Sequence, residues 1–169
     1  MTETPADGPE VEALLDTCFA PGRAALSSYR LRDGVPPARG LCLVARGRAG
    51  EVAGAIRFWP VRVGAAPALL LGPVAVHPTR QGEGLGALLI EGALSEARDW
   101  ARVLLVGDAA YYRRFGFERL EGVVMPPPTD PARVLGRALH PGGWDGIAGA
   151  VAADPAAPMG VEGPQEETP

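Results

Sequence analysis

Three glycines stand at alternate positions in the segment R-Q-G-E-G-L-G, residues 80–86, which directly precedes a long helical pattern. Glycine lacks a Cβ, so it permits unusual backbone angles and lets the main chain approach a ligand closely. The first turn of a helix also carries N–H groups without intrahelical partners and the positive end of the helix dipole. The pattern therefore favours a cradle for a phosphate or pyrophosphate, although a tight strand-to-helix turn without a ligand would use the same residues.

Two other nucleotide-binding motifs do not fit this segment. A P-loop requires Gly-Lys-Ser/Thr after its glycines, and all 16 basic residues of this chain are arginine. A dinucleotide fingerprint requires G-x-G-x-x-G, whereas Gly82, Gly84 and Gly86 are each separated by a single residue. Neither of these two motifs therefore accounts for the segment.

The loop lies between elements that would hold it in place. A nearly unbroken apolar run at residues 69–76 predicts a strand buried on both faces. Apolar residues at helical spacing predict a helix over 84–101, and another apolar strand follows at 102–107. A helix between two buried strands indicates a mixed α/β domain.

The remainder of the chain predicts shorter elements around this unit. Two β-rich runs on either side of a short glycine-containing loop indicate a hairpin. We expect one domain over residues 9–153, a flexible lead-in at 1–8, and a disordered tail rich in Pro, Gly and Glu at 154–169. The other predicted elements are helices at 9–19, 23–31 and 110–115, strands at 41–46, 51–63 and 132–139, and some further structure at 144–151.

Composition excludes several functional classes. The net charge of −4, with no basic block, argues against a nucleic-acid partner. The sequence has no apolar run long enough to cross a bilayer and no secretory signal, so we expect a cytoplasmic protein without a membrane partner. Cys18 and Cys42 match no metal-ligand spacing and are predicted to be free thiols, and with only 2 histidines no metal site is expected.

The motif V-A-V-H-P-T-R-Q-G-E-G-L-G at residues 74–86 resembles the coenzyme A-binding motif of the GNAT superfamily of N-acyltransferases. The family pattern ends in Q/R-x-x-G-x-G/A, which is met by Gln81, Gly84 and Gly86. Downstream, Y-R-R-F-G-F at 112–117 is similar to the family's Y-x-x-x-G-F. Together with its flanking residues, the chain especially resembles a bacterial subgroup of predicted N-acetyltransferases.

The resemblance implies the fold and the acyl donor. The fold would be a single α/β (α+β) domain with a mixed, mostly antiparallel, twisted sheet flanked by helices. Its central parallel strands, 69–76 and 102–106, would splay to admit acetyl-CoA or another acyl-CoA. Main-chain groups of Val74, Ala75 and Val76 would bind the pantetheine arm. Main-chain amides of the loop and helix start would bind the pyrophosphate; these residues are Gln81, Gly82, Glu83, Gly84, Leu85, Gly86 and Ala87.

The resemblance also implies a general acid. Coenzyme A leaves as a thiolate, which departs more easily when a nearby acid protonates it. The family's tyrosine corresponds to Tyr112, and the adjacent Tyr111 is the alternative; either would otherwise be a packed aromatic residue. A main-chain N–H near Val76 could stabilise the developing oxyanion.

No carboxylate lies on the strand at 69–76, where the family often has a general base. Asp108 is expected to be a helix cap rather than a general base, and His77 is expected to be a loop histidine that is hydrogen-bonded locally. We therefore expect that the base is water-mediated or absent, which favours an acceptor amine of low pKa. Arg57 and Trp59 could line an acceptor pocket, but a structural role on their strand is the simpler interpretation.

The predicted function is an N-acetyltransferase that acts on a small-molecule or peptide amine, and a homodimer is one possible assembly. Two alternatives stay open. One is a noncatalytic acyl-CoA-binding module that acts through a partner, and the other is a transferase of a longer acyl group.

Overall fold

The structure, a computed structural model, describes residues 1–19 and 27–155. Within these residues eight strands form one sheet with helices against it. The helices are α1 (Gly8–Cys18), α2 (Ser27–Arg30), α3 (Leu85–Glu96) and α4 (Ala109–Tyr112). The strands are β1 (Leu43–Arg46), β2 (Val52–Val63), β3 (Ala66–Val76), β4 (Arg102–Val106), β5 (Glu118–Arg119), β6 (Val123–Val124), β7 (Val134–Ala138) and β8 (Gly149–Ala153).

The sheet is mixed and mostly antiparallel. Its strands follow the order β5-β7-β4-β3-β2-β8-β6, and β1 pairs with the other half of the β2 edge that β8 occupies. At its centre β3 runs parallel to β4, because the chain crosses over through α3 between them. This arrangement confirms the predicted fold class.

Apolar side chains cover both faces of the sheet. On one face, α3 buries Leu89, Ile90, Ala93 and Leu94 against strand residues such as Ile56 and Phe58. On the other face, α1 packs Val11, Leu14 and Leu15 over Ala55 and Ala75. β3 is covered on both sides, which is the cause that the sequence predicted for the nearly unbroken apolar run at residues 69–76.

The N-terminal segment differs from the predicted flexible lead-in. The Met1 ammonium donates to the Val44 carbonyl at 3.0 Å, and the Val44 N–H donates to the Met1 carbonyl at 2.8 Å. Thr2 forms a β-bridge with Leu43. A 3-10 turn at Pro5–Asp7 then leads into α1. These residues are held in place because they pair with the free edge of β1. This contact joins residues about 40 positions apart, so the local composition of residues 1–8 could not predict it.

The other predicted elements are present with shifted ends. The helix predicted at 84–101 ends at Glu96, and the helix predicted at 110–115 is α4 followed by a 3-10 turn at Arg113–Phe115. The strand predicted at 132–139 is β7, and the segment at 144–151 leads into β8. Of the helix predicted at 23–31, only α2 lies within the described residues. Asp154, the first residue of the predicted tail, is buried and pairs with Arg62 at 3.2 Å, whereas 156–169 lie outside the described residues.

Candidate functional site

The sheet opens between its two central parallel strands. β3 pairs with β4 at Leu69↔Val103 and Leu70↔Leu104, and beyond these pairs the strands diverge. A bulge in β3 accompanies the divergence: Gly72 and Pro73 together lie opposite the single residue Arg57 of β2. Gly72 has a φ of +134°, which favours glycine. The resulting gap is called the opening below.

The end of β3 directs main-chain groups into the opening. The N–H of His77 donates to the Ala53 carbonyl at 2.8 Å, and Ala55 lies opposite Ala75 in register. Hydrogen-bonded and non-hydrogen-bonded pairs alternate along antiparallel strands, so Ala75 bonds β2 through its main chain. Val74 and Val76 therefore turn their N–H and C=O groups away from β2, towards β4. Of the three predicted strand residues, only these two direct main-chain groups into the opening, and the Val76 carbonyl already accepts from Gln81 Nε2 and Cys18 Sγ.

Residues 77–84, called the glycine loop below, connect β3 to the start of α3. Gly82 and Gly84 have φ values of +85° and +80°, in the left-handed region, and Gly84 is the N-cap of α3. The first intrahelical bond joins the Leu88 N–H to the Gly84 carbonyl at 3.1 Å. The N–H groups of the first turn, from Leu85 to Ala87, consequently point out of the helix towards the loop.

Two polar side chains of the loop are engaged in local contacts. Gln81 Nε2 donates to the Val76 carbonyl at 3.2 Å, which ties the loop to the end of β3. Glu83 accepts from Arg80 Nε at 2.8 Å and is exposed. The Glu83 carboxylate would repel a phosphate, so only its main chain is suited to bind one.

The rings of the two candidate tyrosines contact each other edge-on, with centroids 5.0 Å apart, but each tyrosine contacts a different wall of the opening. The Tyr111 hydroxyl is 3.9 Å from the position that a Cβ on Gly86 would occupy, so it lies at the first turn of α3. The Tyr112 ring instead covers the Cα of Gly107, just beyond β4, and packs edge-on against Phe117 with ring centroids 5.9 Å apart. Burial raises the pKa of the Tyr112 hydroxyl above its ordinary value, and Tyr111 adds to this effect. Tyr112 therefore keeps its proton throughout the neutral range.

Asp108 and His77 have the structural roles that the sequence predicted for them. The Asp108 carboxylate caps α4 by accepting from the Ala110 N–H at 3.0 Å. His77 Nδ1 accepts from the Thr79 N–H at 3.2 Å and lies 2.8 Å from the Thr79 hydroxyl. Because both side chains are engaged in these local hydrogen bonds, neither is positioned as a general base.

The side chains of Arg57 and Trp59 are buried on the face of the sheet that α1 covers. This confirms the interpretation that both residues have a structural role on their strand. Arg57 is 8% exposed and binds Glu3 at 2.6 Å and Glu12 at 2.7 Å. Trp59 is also 8% exposed, and its Nε1–H donates to the Gly72 carbonyl at 2.8 Å. Trp59 therefore fixes the bulge that accompanies the opening.

Two arginines near the opening were not found by sequence reasoning. The Arg32 guanidinium lies over the Tyr29 ring at 4.0 Å and the Trp59 ring at 5.3 Å. Arg114 lies over the Tyr111 ring at 4.6 Å and so brings positive charge beside the first turn of α3. Arg114 stands inside the Y-R-R-F-G-F motif, which could have indicated it, whereas no local pattern marks Arg32.

Both cysteines are free thiols, as predicted. Cys18 Sγ donates to the Val76 carbonyl at 3.3 Å, and burial raises its pKa. Burial also raises the pKa of Cys42, to about 11. Neither cysteine is therefore a thiolate at neutral pH, and nucleophilic catalysis by cysteine is disfavoured.

An opened pair of parallel strands, with main-chain groups on one wall and a glycine loop at a helix start, defines a coenzyme A-dependent acetyltransferase architecture. A family model described as the acetyltransferase (GNAT) domain matches residues 38–119. The Escherichia coli (strain K12) protein named uncharacterized N-acetyltransferase YhbS is 36% identical over 121 residues, which cover 69% of this chain and 71% of that protein. The chain belongs to the GNAT family of N-acetyltransferases.

Solved structures agree with this assignment. The Escherichia coli GNAT family N-acetyltransferase YhbS, in complex with CoA, matches with a TM-score of 0.77 and 30% identity, over 91% of this chain and 88% of that one. A GNAT family acetyltransferase from Brucella melitensis, in complex with acetyl-CoA, matches with a TM-score of 0.68 and 32% identity, over 91% and 94% of the two chains. These likenesses confirm the predicted family and fold.

Residues 1–19 and 27–155 contain neither a membrane-spanning helix nor a cluster of metal ligands. None of the helices there is long and apolar enough to cross a membrane. The same residues contain no group of three or more His, Cys, Asp or Glu side chains that could hold a metal ion.

Proposed function

We propose that this protein transfers an acetyl group from acetyl-CoA to a primary amine by direct attack, with Tyr112 as the general acid. The observation that carries the proposal is the outward direction of the Val74 and Val76 main-chain groups, next to the glycine loop. A pantetheine arm has amide groups that would pair with that row like an added strand. A pyrophosphate would then lie at the start of α3, where N–H groups and the helix dipole favour an anion.

The reaction forms one bond and breaks another. The neutral amine nitrogen attacks the thioester carbonyl carbon, and the C–N bond forms as the C–S bond breaks. The leaving sulfur takes a proton from the Tyr112 hydroxyl, and the proton lost by the substituted amine restores the tyrosine through solvent. The N–H of Val74, which points into the opening next to the bulge, stabilises the oxyanion during attack.

The positions of the two tyrosines support Tyr112 over Tyr111 as the acid. The Tyr111 hydroxyl lies beside Gly86, at the end of the opening proposed for the pyrophosphate. Val76 and Gly72 are four residues apart, about 13 Å along a strand. A thioester at the far end of the pantetheine arm would therefore be distant from Tyr111, whereas Tyr112 lies on the β4 wall and stays protonated.

The proposed mechanism has no dedicated base. Asp108 is occupied as a helix cap, His77 is bonded to Thr79, and β3 carries no carboxylate. A lysine-like amine with a pKa of about 10.4 is almost entirely charged at pH 7, a penalty of roughly 4–5 kcal/mol. An amine of pKa near 8 loses only about 1 kcal/mol. Low-pKa amines are thus the better acceptors.

An amine panel with acetyl-CoA tests this function, with thiol release as the readout and calorimetry for coenzyme A binding. Tyr112→Phe should lower kcat by about 100-fold or more, because the leaving thiolate loses its proton donor. Its matched control, Tyr111→Phe, should change kcat little. If the two variants behave in reverse, the acid is Tyr111. Coenzyme A binding without turnover of any amine would indicate the noncatalytic module instead.

The pH dependence of kcat gives a second test of the same residue. Tyr112 acts in its protonated form, so kcat should fall as pH rises through the Tyr112 pKa. Because burial raises that pKa, the fall should begin above the ordinary range of tyrosine. Tyr112→Phe should abolish this alkaline decline, and a decline that persists in the variant would assign it to another group.

A further inference from the structure

Gly107, the residue that follows β4, leaves room for the ring of Tyr112. A Cβ on Gly107 would lie 2.5 Å from Cε2 and 2.9 Å from Cδ2 of that ring, whereas carbon atoms in contact stay about 3.5–4.0 Å apart. The φ angle of Gly107 is outside the left-handed region, so the backbone conformation alone does not call for glycine. The reason for glycine here is that the Tyr112 ring occupies the place of a side chain.

The main chain of Gly107 is fixed by Arg133. The Gly107 N–H donates to the Arg133 carbonyl at 2.9 Å, and Arg133 Nε donates to the Gly107 carbonyl at 3.4 Å. These bonds continue the pairing of β4 with β7, which ends at Val106 and Val134. A side chain at position 107 could not be accommodated by moving the strand without breaking these bonds, so the ring would have to move instead.

Other aromatic rings surround Tyr112 on its remaining sides. The ring centroids of Tyr111, Phe117 and Phe115 lie 5.0, 5.9 and 6.2 Å from that of Tyr112. Phe115 and Phe117 are buried in the core under α3 and cannot yield easily. The direction of the Tyr112 hydroxyl is therefore determined by packing, and a displaced ring would carry the hydroxyl away from its place on the β4 wall.

Two titratable or charged side chains face Tyr112, namely Tyr111 on its own helix and Arg133 from the turn before β7. Burial and then Tyr111 raise the pKa of Tyr112, and the positive charge of Arg133 lowers it. A cation beside a tyrosine stabilises the tyrosinate that remains after proton donation. The residue that holds Gly107 in place therefore also favours transfer of the Tyr112 proton.

We propose that Gly107 is a positioning residue: because it has no side chain and Arg133 fixes its main chain, the Tyr112 hydroxyl is held at the end of β4, where it can reach the leaving sulfur. This assignment rests on the proposed role of Tyr112 as the general acid. A misplacement of about 1 Å near a reacting group can cost about 100-fold in rate, so one methyl group at position 107 is a sensitive probe.

Gly107→Ala in the full-length protein tests the proposal. Its kcat should fall about tenfold or more, while KM and the coenzyme A Kd stay at the wild-type values. The same change in a Tyr112→Phe background should cause no further loss of kcat, because the hydroxyl that it displaces is already absent. A further loss in that background would show that Gly107 does not act through Tyr112, and would refute the assignment.

Gly136→Ala is the matched control, on the strand next to β4. A Cβ on Gly136 would lie 2.6 Å from the Leu120 side chain, so it is as crowded as one on Gly107 but does not meet Tyr112. Both variants should lower Tm, and only Gly107→Ala should lower kcat. Equal losses of kcat in the two variants would indicate a general disturbance of the sheet and overturn the proposal.

Arg133→Met keeps the proposal testable if Gly107→Ala does not fold, because Arg133 is exposed. It removes one bond to Gly107 and the charge beside Tyr112, so kcat should fall about two- to fivefold. The alkaline decline of kcat should move to higher pH, since the charge that lowers the Tyr112 pKa is lost. Arg133→Lys should restore the position of that decline, and Arg119→Met, at an exposed position on β5, should not move it. An unchanged kcat and pH profile in Arg133→Met would refute the assignment.

The Tyr112→Phe result separates this inference from the proposed function. If Tyr112→Phe keeps the wild-type kcat, Tyr112 is not the acid and the proposed mechanism fails. If Tyr112→Phe is impaired while Gly107→Ala is fully active, the acid stands and only the role of Gly107 is refuted.

Discussion

The two ends of the opening are built from different parts of the polypeptide. The end that we propose binds the cofactor, called the cofactor end, comprises Val74, Val76 and residues 81–87 and presents mainly main-chain N–H and C=O groups. The opposite end, called the acceptor end because we propose that the acceptor approaches there, presents an arginine stacked on two aromatic rings beside the bulge at Gly72. The first end is therefore suited to groups that every acyl-CoA shares, while the chemistry of the second depends on side chains that a substitution can alter.

The contrast explains why family membership can be determined from the backbone architecture, whereas substrate specificity depends on individual side chains. Main-chain groups are displayed by any sequence that preserves the strand, the left-handed glycines and the helix start, so this architecture can be kept by relatives at 30–36% identity. The acceptor end is assembled from α2, β2 and β3, and its chemistry depends on individual residues. Changes at the two ends should accordingly separate coenzyme A affinity from acceptor use.

The largest expected effect is at the cofactor end. A Cβ on Gly86 would lie 3.6 Å from Val76 Cγ2 and 3.9 Å from the Tyr111 hydroxyl, which is ordinary contact, so Gly86→Val should fold. Its added methyl groups would fill the space between α3 and β3 and displace the ligand from the main-chain donors. The coenzyme A Kd, measured by calorimetry, should rise about 100-fold, as expected for two lost charge-assisted hydrogen bonds. Gly8→Ala, at the start of α1, is the matched control, and an unchanged Kd in Gly86→Val would refute the proposed cradle.

An intermediate effect is expected at the acceptor end. Trp59→Phe removes the hydrogen bond to the buried Gly72 carbonyl, which should lower the free energy of unfolding by about 1–3 kcal/mol. Because Trp59 fixes the bulge and supports Arg32, KM for the acceptor should rise while the coenzyme A Kd stays the same. Trp100→Phe, at a partly buried position after α3, provides the control. Loss of coenzyme A affinity with an unaltered acceptor KM would contradict the division between the two ends.

The smallest effect concerns the N-terminal segment that holds α1 in place. Hydrogen bonds from the Thr4 main chain and side chain, together with Arg46, lower the Asp7 pKa to about 2. The folded-state pKa lies below the unfolded value of about 3.9, so this stabilisation is present above about pH 4 and is lost as pH falls towards 2. Asp7→Asn should therefore lower Tm at neutral pH, and the difference from wild type should shrink between pH 4 and 2. Asp99→Asn, at an exposed position, should not reproduce that pH-dependent difference; if it does, the Asp7 contacts are not its source.

The sequence predicted the strand, the glycine loop and the helix after it because the information for these elements is local. The three alternating glycines, the apolar strand before them and the amphipathic helix after them are contiguous, and each follows from backbone preference or periodicity. To say which residues of β3 direct their main chain into the opening, the register with β2 is needed. Ala75 was predicted together with its neighbours, but its main chain pairs with Ala55. Alternation along a strand is visible in sequence, whereas its phase relative to a partner strand is not.

By itself the sequence determined the family, the order of the main strands and helices, and the loop that begins α3, because short-range backbone and hydrophobic patterns encode each of these. The tertiary structure decided how the N-terminal residues pair with β1, where Tyr111 and Tyr112 lie along the opening, and that Arg32 stacks on Trp59 beside Gly72. These contacts join residues far apart in the chain, and they form only when the sheet brings their strands together.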